Sequence, residues 1–193
     1  MAPDIIYDAG DLRLKVGGKQ YPEEQLEFVV NSKALARASR RFKKLLHNKL
    51  QPSTKSTTLT QNLTVKLPED DPVGLEVLLN IIHGEYDLST STIPLSLLSR
   101  ILAVSEKYNM SHLIRPWVNV WFQPDADLLH KPADNRLLLR VAWMVGAIDV
   151  FKRAVKTIYQ ECQVNYEGQL LGIWKNPLVD DIELERIFGK SVH

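Results

Sequence analysis

Asp11-Leu12-Arg13-Leu14-Lys15-Val16-Gly17-Gly18 decides how the chain begins to fold. Leu12, Leu14 and Val16 alternate with Arg13 and Lys15, the period of two that sets one face of a strand on a core and the other in water. The two glycines tolerate positive φ, so they predict a tight hairpin, with Lys19-Gln20-Tyr21 resuming the strand. Beyond the polar stretch Pro22–Glu27, Phe28-Val29-Val30 is a second strand-forming run.

Working outward, Ser32 is placed to cap a short helix whose apolar side is Ala34, Leu35 and Ala38. Ser39 is placed to cap a second, around Phe42, Leu45 and Leu46. Gln51–Gln61 is rich in Ser, Thr, Lys and Gln and reads as a mobile loop. Leu63-Thr64-Val65-Lys66-Leu67 alternates again and predicts a further strand. Asp71 before Pro72 pairs an N-cap with a first helical residue, and Leu75, Leu78, Leu79 and Ile82 then recur at helical spacing up to Gly84. Leu97, Leu98, Ile101, Leu102, Val104 and Tyr108 mark another helix. Ser111 predicts the cap of the next, which holds Leu113, Trp117, Val120 and Trp121, with Pro116 bending it. After the two-proline loop Gln123–Pro132, Leu137–Val145 and Val150–Cys162 are amphipathic helices. Asp180–Phe188 reads as a short acidic one. The layout is α+β: a small sheet flanked by a cluster of helices over residues 1–123, then a helical extension over 124–193.

The 193 residues carry 24 Lys+Arg against 23 Asp+Glu, a net charge of +1, whereas a chain held to nucleic acid by phosphate neutralisation is strongly basic. A hydrophobic content of 45% is that of a globular protein. Cys162 stands alone, which excludes an internal disulfide and a Cys-rich zinc site, and its place on the stripe with Val155 and Ile158 reads as a buried, inert thiol. The N-terminus has acids where a signal peptide needs basic residues, and no apolar run approaches membrane-spanning length. These features predict an intracellular protein, cytoplasmic or nuclear, with no membrane segment. His47, His83, His112, His130 and His193 are scattered singly and read as surface or cap histidines. There is no Walker loop, GxSxG, HExxH or Rossmann fingerprint, so no catalytic residue, cofactor or metal is expected.

The order of these elements resembles the BTB/POZ domain family. The matching residues are Asp11–Gly17, Phe28-Val29-Val30, Ser32-Lys33-Ala34-Leu35 with Ala38-Ser39 and Phe42, the Leu-rich stretch Leu75–Gly84, and Leu102–Tyr108. Together they cover residues 11–122. The wording around Pro68–Asp71, Ile81–Gly84 and Asn109-Met110 is most similar to BTB-domain proteins of filamentous fungi. Asn31 stands where many members have His. Only ten residues precede Asp11, too few for the extra helix and strand of the swapped family dimer, although Ile5-Ile6-Tyr7 can add an edge strand.

The resemblance implies a non-enzymatic protein–protein interaction module, a scaffold or a substrate adaptor of a cullin-based ubiquitin ligase. Its partner would be a cullin or another BTB chain. A homo-oligomerisation module in a transcriptional or signalling assembly is the alternative. In cullin-binding members a hydrophobic-x-Glu element contributes to the contact; Leu67-Pro68-Glu69 fits it, followed by Asp70, and Tyr86 is a candidate aromatic anchor.

A second candidate surface comes from charge. From Phe28 to Pro68 there are nine Lys+Arg and no acid, so the rest of the chain holds 15 basic residues against 23 acidic ones. Lys33, Arg37, Arg41 and Lys44 share roughly one helical face, a positive stripe suited to an acidic partner. Nucleic acid is the lesser reading, because no aromatic residues interleave for base stacking.

Overall fold

The alternation along Leu12–Val16 is realised as three rows of side chains across a sheet. In the computed structural model, β2 (Leu12–Val16) lies between β3 (Leu26–Val30), antiparallel to it, and β4 (Leu63–Leu67), parallel to it. The two-residue β1 (Asp4–Ile5) pairs parallel on the far side of β3, giving the order β1-β3-β2-β4. Leu12 lies between Val30 and Leu63, Leu14 between Phe28 and Val65, and Val16 between Leu26 and Leu67. All three β2 members of these rows are buried, with Phe28, Val30, Val65 and Leu67. The other face carries charge: Glu27, opposite Lys15, forms ion pairs with Lys15 at 3.0 Å and with Arg13. A one-residue slip would put these charges in the core, so burial fixes the register.

The structure describes residues 4–5, 9–50, 63–85, 93–123, 132–161, 163–164 and 170–171. The loop read at Gln51–Gln61, the candidate anchor Tyr86, Cys162 and the acidic helix Asp180–Phe188 lie outside them. The chain divides into two compact units, Met1–Trp121 and Phe122–His193. Among the described residues no helix is long and apolar enough to cross a membrane.

In the first unit the sheet is joined by α1 (Ser32–Ala38), α2 (Arg40–Leu50), α3 (Pro72–His83), α4 (Leu95–Lys107) and α5 (Ser111–Trp121), so the fold is mixed α+β. Leu35, Phe42, Leu46, Leu75, Leu78, Leu79, Leu98, Ile101, Met110 and Ile114 supply its helical core. Each such side chain contributes about 1.5–3 kcal/mol by leaving water. Helices α3 and α4 approach so closely at Gly74 that a β-carbon there would lie 2.8 Å from the Arg100 carbonyl oxygen. Gly84, at φ 78, ends α3 as the glycine stop predicts.

One turn and two helix caps differ from their sequence reading. Gly17-Gly18 is not a two-residue hairpin, and Lys19-Gln20-Tyr21 does not resume a strand: β2 returns as β3 only at Leu26. The Gly17 N–H donates to Leu67 O and the Lys19 N–H to Pro68 O, so the chain first runs on beside β4. The cap of α1 is Asn31, whose side chain accepts the Ala34 N–H at 2.9 Å, rather than Ser32. Likewise Ser111 is the first residue of α5 rather than its cap. Ser39, by contrast, does cap α2: its Oγ accepts the Phe42 N–H at 3.1 Å.

Ser32 is freed for another role. Its N–H and hydroxyl donate to the two carboxylate oxygens of Asp11 at 2.7 and 2.6 Å. Partial burial pushes the Asp11 pKa up, but the Ser32 hydrogen bonds and Lys33 outweigh it and hold the carboxyl below its ordinary 3.8. The sign follows directly: the folded value is depressed, so this stabilisation is complete above 3.8 and fades as pH falls through the folded value. Acid titration of unfolding should therefore show a limb below pH 3.8 that is shallower in Asp11→Asn; superimposable limbs would contradict this.

The second unit holds α6 (Pro132–Val145) and α7 (Ile148–Glu161), joined through Gly146 at φ 76. Leu138, Leu139, Val141 and Ala142 of α6 and Ala154 of α7 are buried. Beyond the helices, β5 (Gln163–Val164) and β6 (Leu170–Leu171) pair antiparallel, a hairpin that the helical periodicity did not announce.

Candidate interaction surfaces

The start of α3 is built from charge turned inward. Asp71 caps the helix, its Oδ1 accepting the Gly74 N–H at 2.8 Å, while Oδ2 accepts Arg100 Nε at 2.5 Å. Arg100 also pairs with Glu24, and these carboxylates drive its pKa further up, so it stays a cation. Asp70 accepts the Tyr108 hydroxyl at 2.7 Å and pairs with Lys107 at 2.5 Å. Burial first, then the bond to Asp70, raises the Tyr108 pKa, so its hydroxyl remains a donor.

That geometry redistributes the candidate residues. Asp70 is 4% exposed and Leu67 5%, so both side chains hold the fold together rather than face a partner. Glu69 alone of the three is open to solvent. It accepts Lys19 Nζ at 2.7 Å, and this contact holds its carboxyl below the usual range.

The basic residues are also rearranged. Lys33 and Arg37 lie one turn apart on α1, Arg41 and Lys44 one turn apart on α2. Between them Ser39 is extended, at φ −135 and ψ 122, so the single stripe becomes two patches on successive helices. Lys33, Arg37, Arg40, Arg41, Lys43 and Lys44 are all exposed, and neither helix carries a carboxylate. Arg41 donates to the Lys107 carbonyl, which ties α2 to the last turn of α4. Among the described residues no ion pair engages Arg37, Arg40, Lys43 or Lys44.

Two features escaped the sequence reading. His83 is no simple surface histidine. Its Nδ1 lies 2.8 Å from the Leu79 carbonyl, which can only accept, so Nδ1 carries the proton and Nε2 accepts the Asn31 N–H at 3.0 Å. It thereby joins the end of α3 to the cap of α1. Trp143, on the amphipathic helix α6, is 56% exposed, whereas Trp117 stacks on buried Trp121 with centroids 6.1 Å apart. Among the described residues no group of three or more His, Cys, Asp or Glu is set to hold a metal ion. No protein-family model matches the chain, and neither does any curated protein.

Proposed function

We propose that residues 11–122 form a protein–protein interaction module of the BTB/POZ type that docks an acidic stretch of a partner protein on α1 and α2. The observation that carries this is the exposed cation set Lys33, Arg37, Arg40, Arg41, Lys43 and Lys44 on two helices without a carboxylate. Cations concentrated on one surface steer an oppositely charged partner and fix its orientation. Their placement on packed helices suits recognition without a covalent step. A scaffold or cullin-adaptor role is the form the family resemblance gives this module, and the exposure of Glu69 at the start of α3 favours it over a role using Leu67 or Asp70.

One binding series tests the reading. The immobilised full chain is offered a labelled peptide of mixed Glu, Asp and Leu, a purified cullin, and single-stranded RNA of the same charge as the peptide. The peptide should bind at low salt, weaken as NaCl shortens the Debye length from about 10 Å toward 3 Å, and lose about tenfold in Arg37→Glu/Lys44→Glu. Cullin capture should weaken in Glu69→Lys. Tighter binding of the RNA would turn the assignment toward nucleic acid, and no peptide binding at low salt would remove α1–α2 as a docking surface.

A further inference from the structure

The corner where α6 gives way to α7 has the wrong composition for a solvated turn, which is ordinarily polar. It reads Trp143-Met144-Val145-Gly146-Ala147-Ile148, with no charged side chain and no polar group beyond the indole N–H of Trp143. None of the six residues is buried, and Trp143 and Ile148 are 56% and 64% exposed. A β-carbon added at Gly146 would meet nothing within 4 Å, so the turn itself stands clear. Phe151 of α7 packs on the Trp143 ring, centroids 5.5 Å apart, and holds the indole at the corner. Single exposed apolar side chains are ordinary, but a continuous run of them marks a contact surface.

Two further observations say what the corner contacts. The first is its backbone. The N–H groups of Gly146, Ala147 and Ile148 donate to the carbonyls of Trp143, Ala142 and Gly146 at 3.2, 2.8 and 3.0 Å. The Phe151 N–H donates to the Ala147 carbonyl at 2.9 Å as α7 begins. The chain thus passes from one helix to the next with these turn donors satisfied from within. Hydrocarbon offers no hydrogen bonds, so a segment that enters it must satisfy its own backbone. The second is charge. Lys152 and Lys156 follow Ile148 at i+4 and i+8, about 6 and 12 Å further along α7, with Arg153 between them. All three are exposed, and among the described residues no ion pair engages them. Asp149 is the one carboxylate over residues 148–156, so three cations stand against it.

We propose that the corner 143–148 is a membrane-surface anchor, which dips into the acyl boundary of an anionic bilayer and leaves Lys152, Arg153 and Lys156 among the phosphates. Interfacial elements sink about 5–10 Å, which matches the distance from Ile148 back to these cations. Tryptophan suits that depth, because its ring is apolar and its N–H reaches the headgroups. A protein surface would bring polar groups that this turn, with one indole N–H, has little to pair with; lipid tails bring none. The contact lies on the membrane and spans nothing, in keeping with the described helices, none of which is long and apolar enough to cross. It stands apart from docking on α1 and α2, and neither needs the other. Each cation near an anionic surface strengthens binding about fivefold, and basic charge beside an apolar anchor supplies the two signals that stable attachment takes.

Cosedimentation of the full chain with vesicles of phosphatidylcholine, with and without phosphatidylserine, tests the anchor, read together with quenching of tryptophan fluorescence by acyl-brominated lipid. The chain should bind the phosphatidylserine vesicles about tenfold or more tighter than phosphatidylcholine alone. Ile148→Asp places a carboxylate at the first position of α7, where the helix dipole favours it, so the helix keeps its fold. That variant should bind about tenfold more weakly, and so should Lys152→Glu/Lys156→Glu. Trp143→Leu keeps an apolar tip without the fluorophore, so it should bind within about threefold of the parent and lose most of the quenching. Arg37→Glu/Lys44→Glu should keep the quenching. Unchanged binding in Ile148→Asp, or loss of quenching in Arg37→Glu/Lys44→Glu, would move the lipid contact to α1 and α2 and overturn the anchor. No binding to phosphatidylserine vesicles would overturn it as well, and self-association that Ile148→Asp abolishes would then assign the corner to a second copy.

Discussion

Phe42→Ala should lower the unfolding free energy by about 3–5 kcal/mol, the range for deleting a fully buried aromatic ring. The figure belongs at the upper part of that range because several contacts converge on this residue. Phe42 is wholly buried and stacks on Tyr108 with ring centroids 4.1 Å apart and planes within 12°. Tyr108 in turn donates its hydroxyl to Asp70 and its carbonyl accepts the Ser39 hydroxyl at 2.6 Å. Ser39 separates α1 from α2 and caps the second. One ring therefore holds the basic helix α2 against the end of α4 and, through Asp70, against the corner where β4 turns into α3. Urea unfolding followed by circular dichroism measures the loss, and a value under about 1 kcal/mol would mean the site collapses freely and the convergence is unimportant. A smaller loss in Phe42→Leu, which keeps volume without the stack, separates cavity from ring geometry.

The strands were legible because their signal is local. Period-two alternation in Leu12–Val16 and Leu63–Leu67 depends only on which face meets the core, and both strands lie where that pattern puts them. The caps at Ser39 and Asp71 were legible for the same reason, since a cap bonds within three residues of itself. The inward turn of Asp70 was not. Aspartate next to a helix start reads as a solvated acid, and nothing within a few residues of it names Tyr108 or Lys107, which lie 38 and 37 positions away in sequence and reach it only once α4 packs. Arg100 with Asp71 and Glu24 was illegible on the same ground. The basic patches divide accordingly: their composition was readable, but their division at Ser39 depended on a backbone conformation set by the Tyr108 contact.

Gly17→Ala should be among the most damaging single-methyl changes in the chain, and Gly18→Ala, one residue on, much less so. Both glycines have positive φ, 81 and 97, which costs a side-chain-bearing residue about 1–3 kcal/mol. Only Gly17 also meets a backbone wall: a β-carbon there would lie 2.3 Å from the Glu24 carbonyl oxygen, while one at Gly18 meets only the end of the Gln25 side chain at 3.5 Å. Overpacking against backbone adds about 1–3 kcal/mol, so roughly 3–5 kcal/mol is expected at Gly17 and about 1–2 at Gly18. The difference has a topological origin. In a two-residue hairpin the two glycines would be near-equivalent turn positions. Here Gly17 instead holds β2 to the end of β4 through its bond to Leu67, while the returning chain crosses it at Glu24. Paired thermal or urea unfolding of the two variants reads this directly. Equal losses would restore the simple hairpin, and a Gly17 loss exceeding that of Gly18 by about 2 kcal/mol fixes the loop as the strand-extending turn described above.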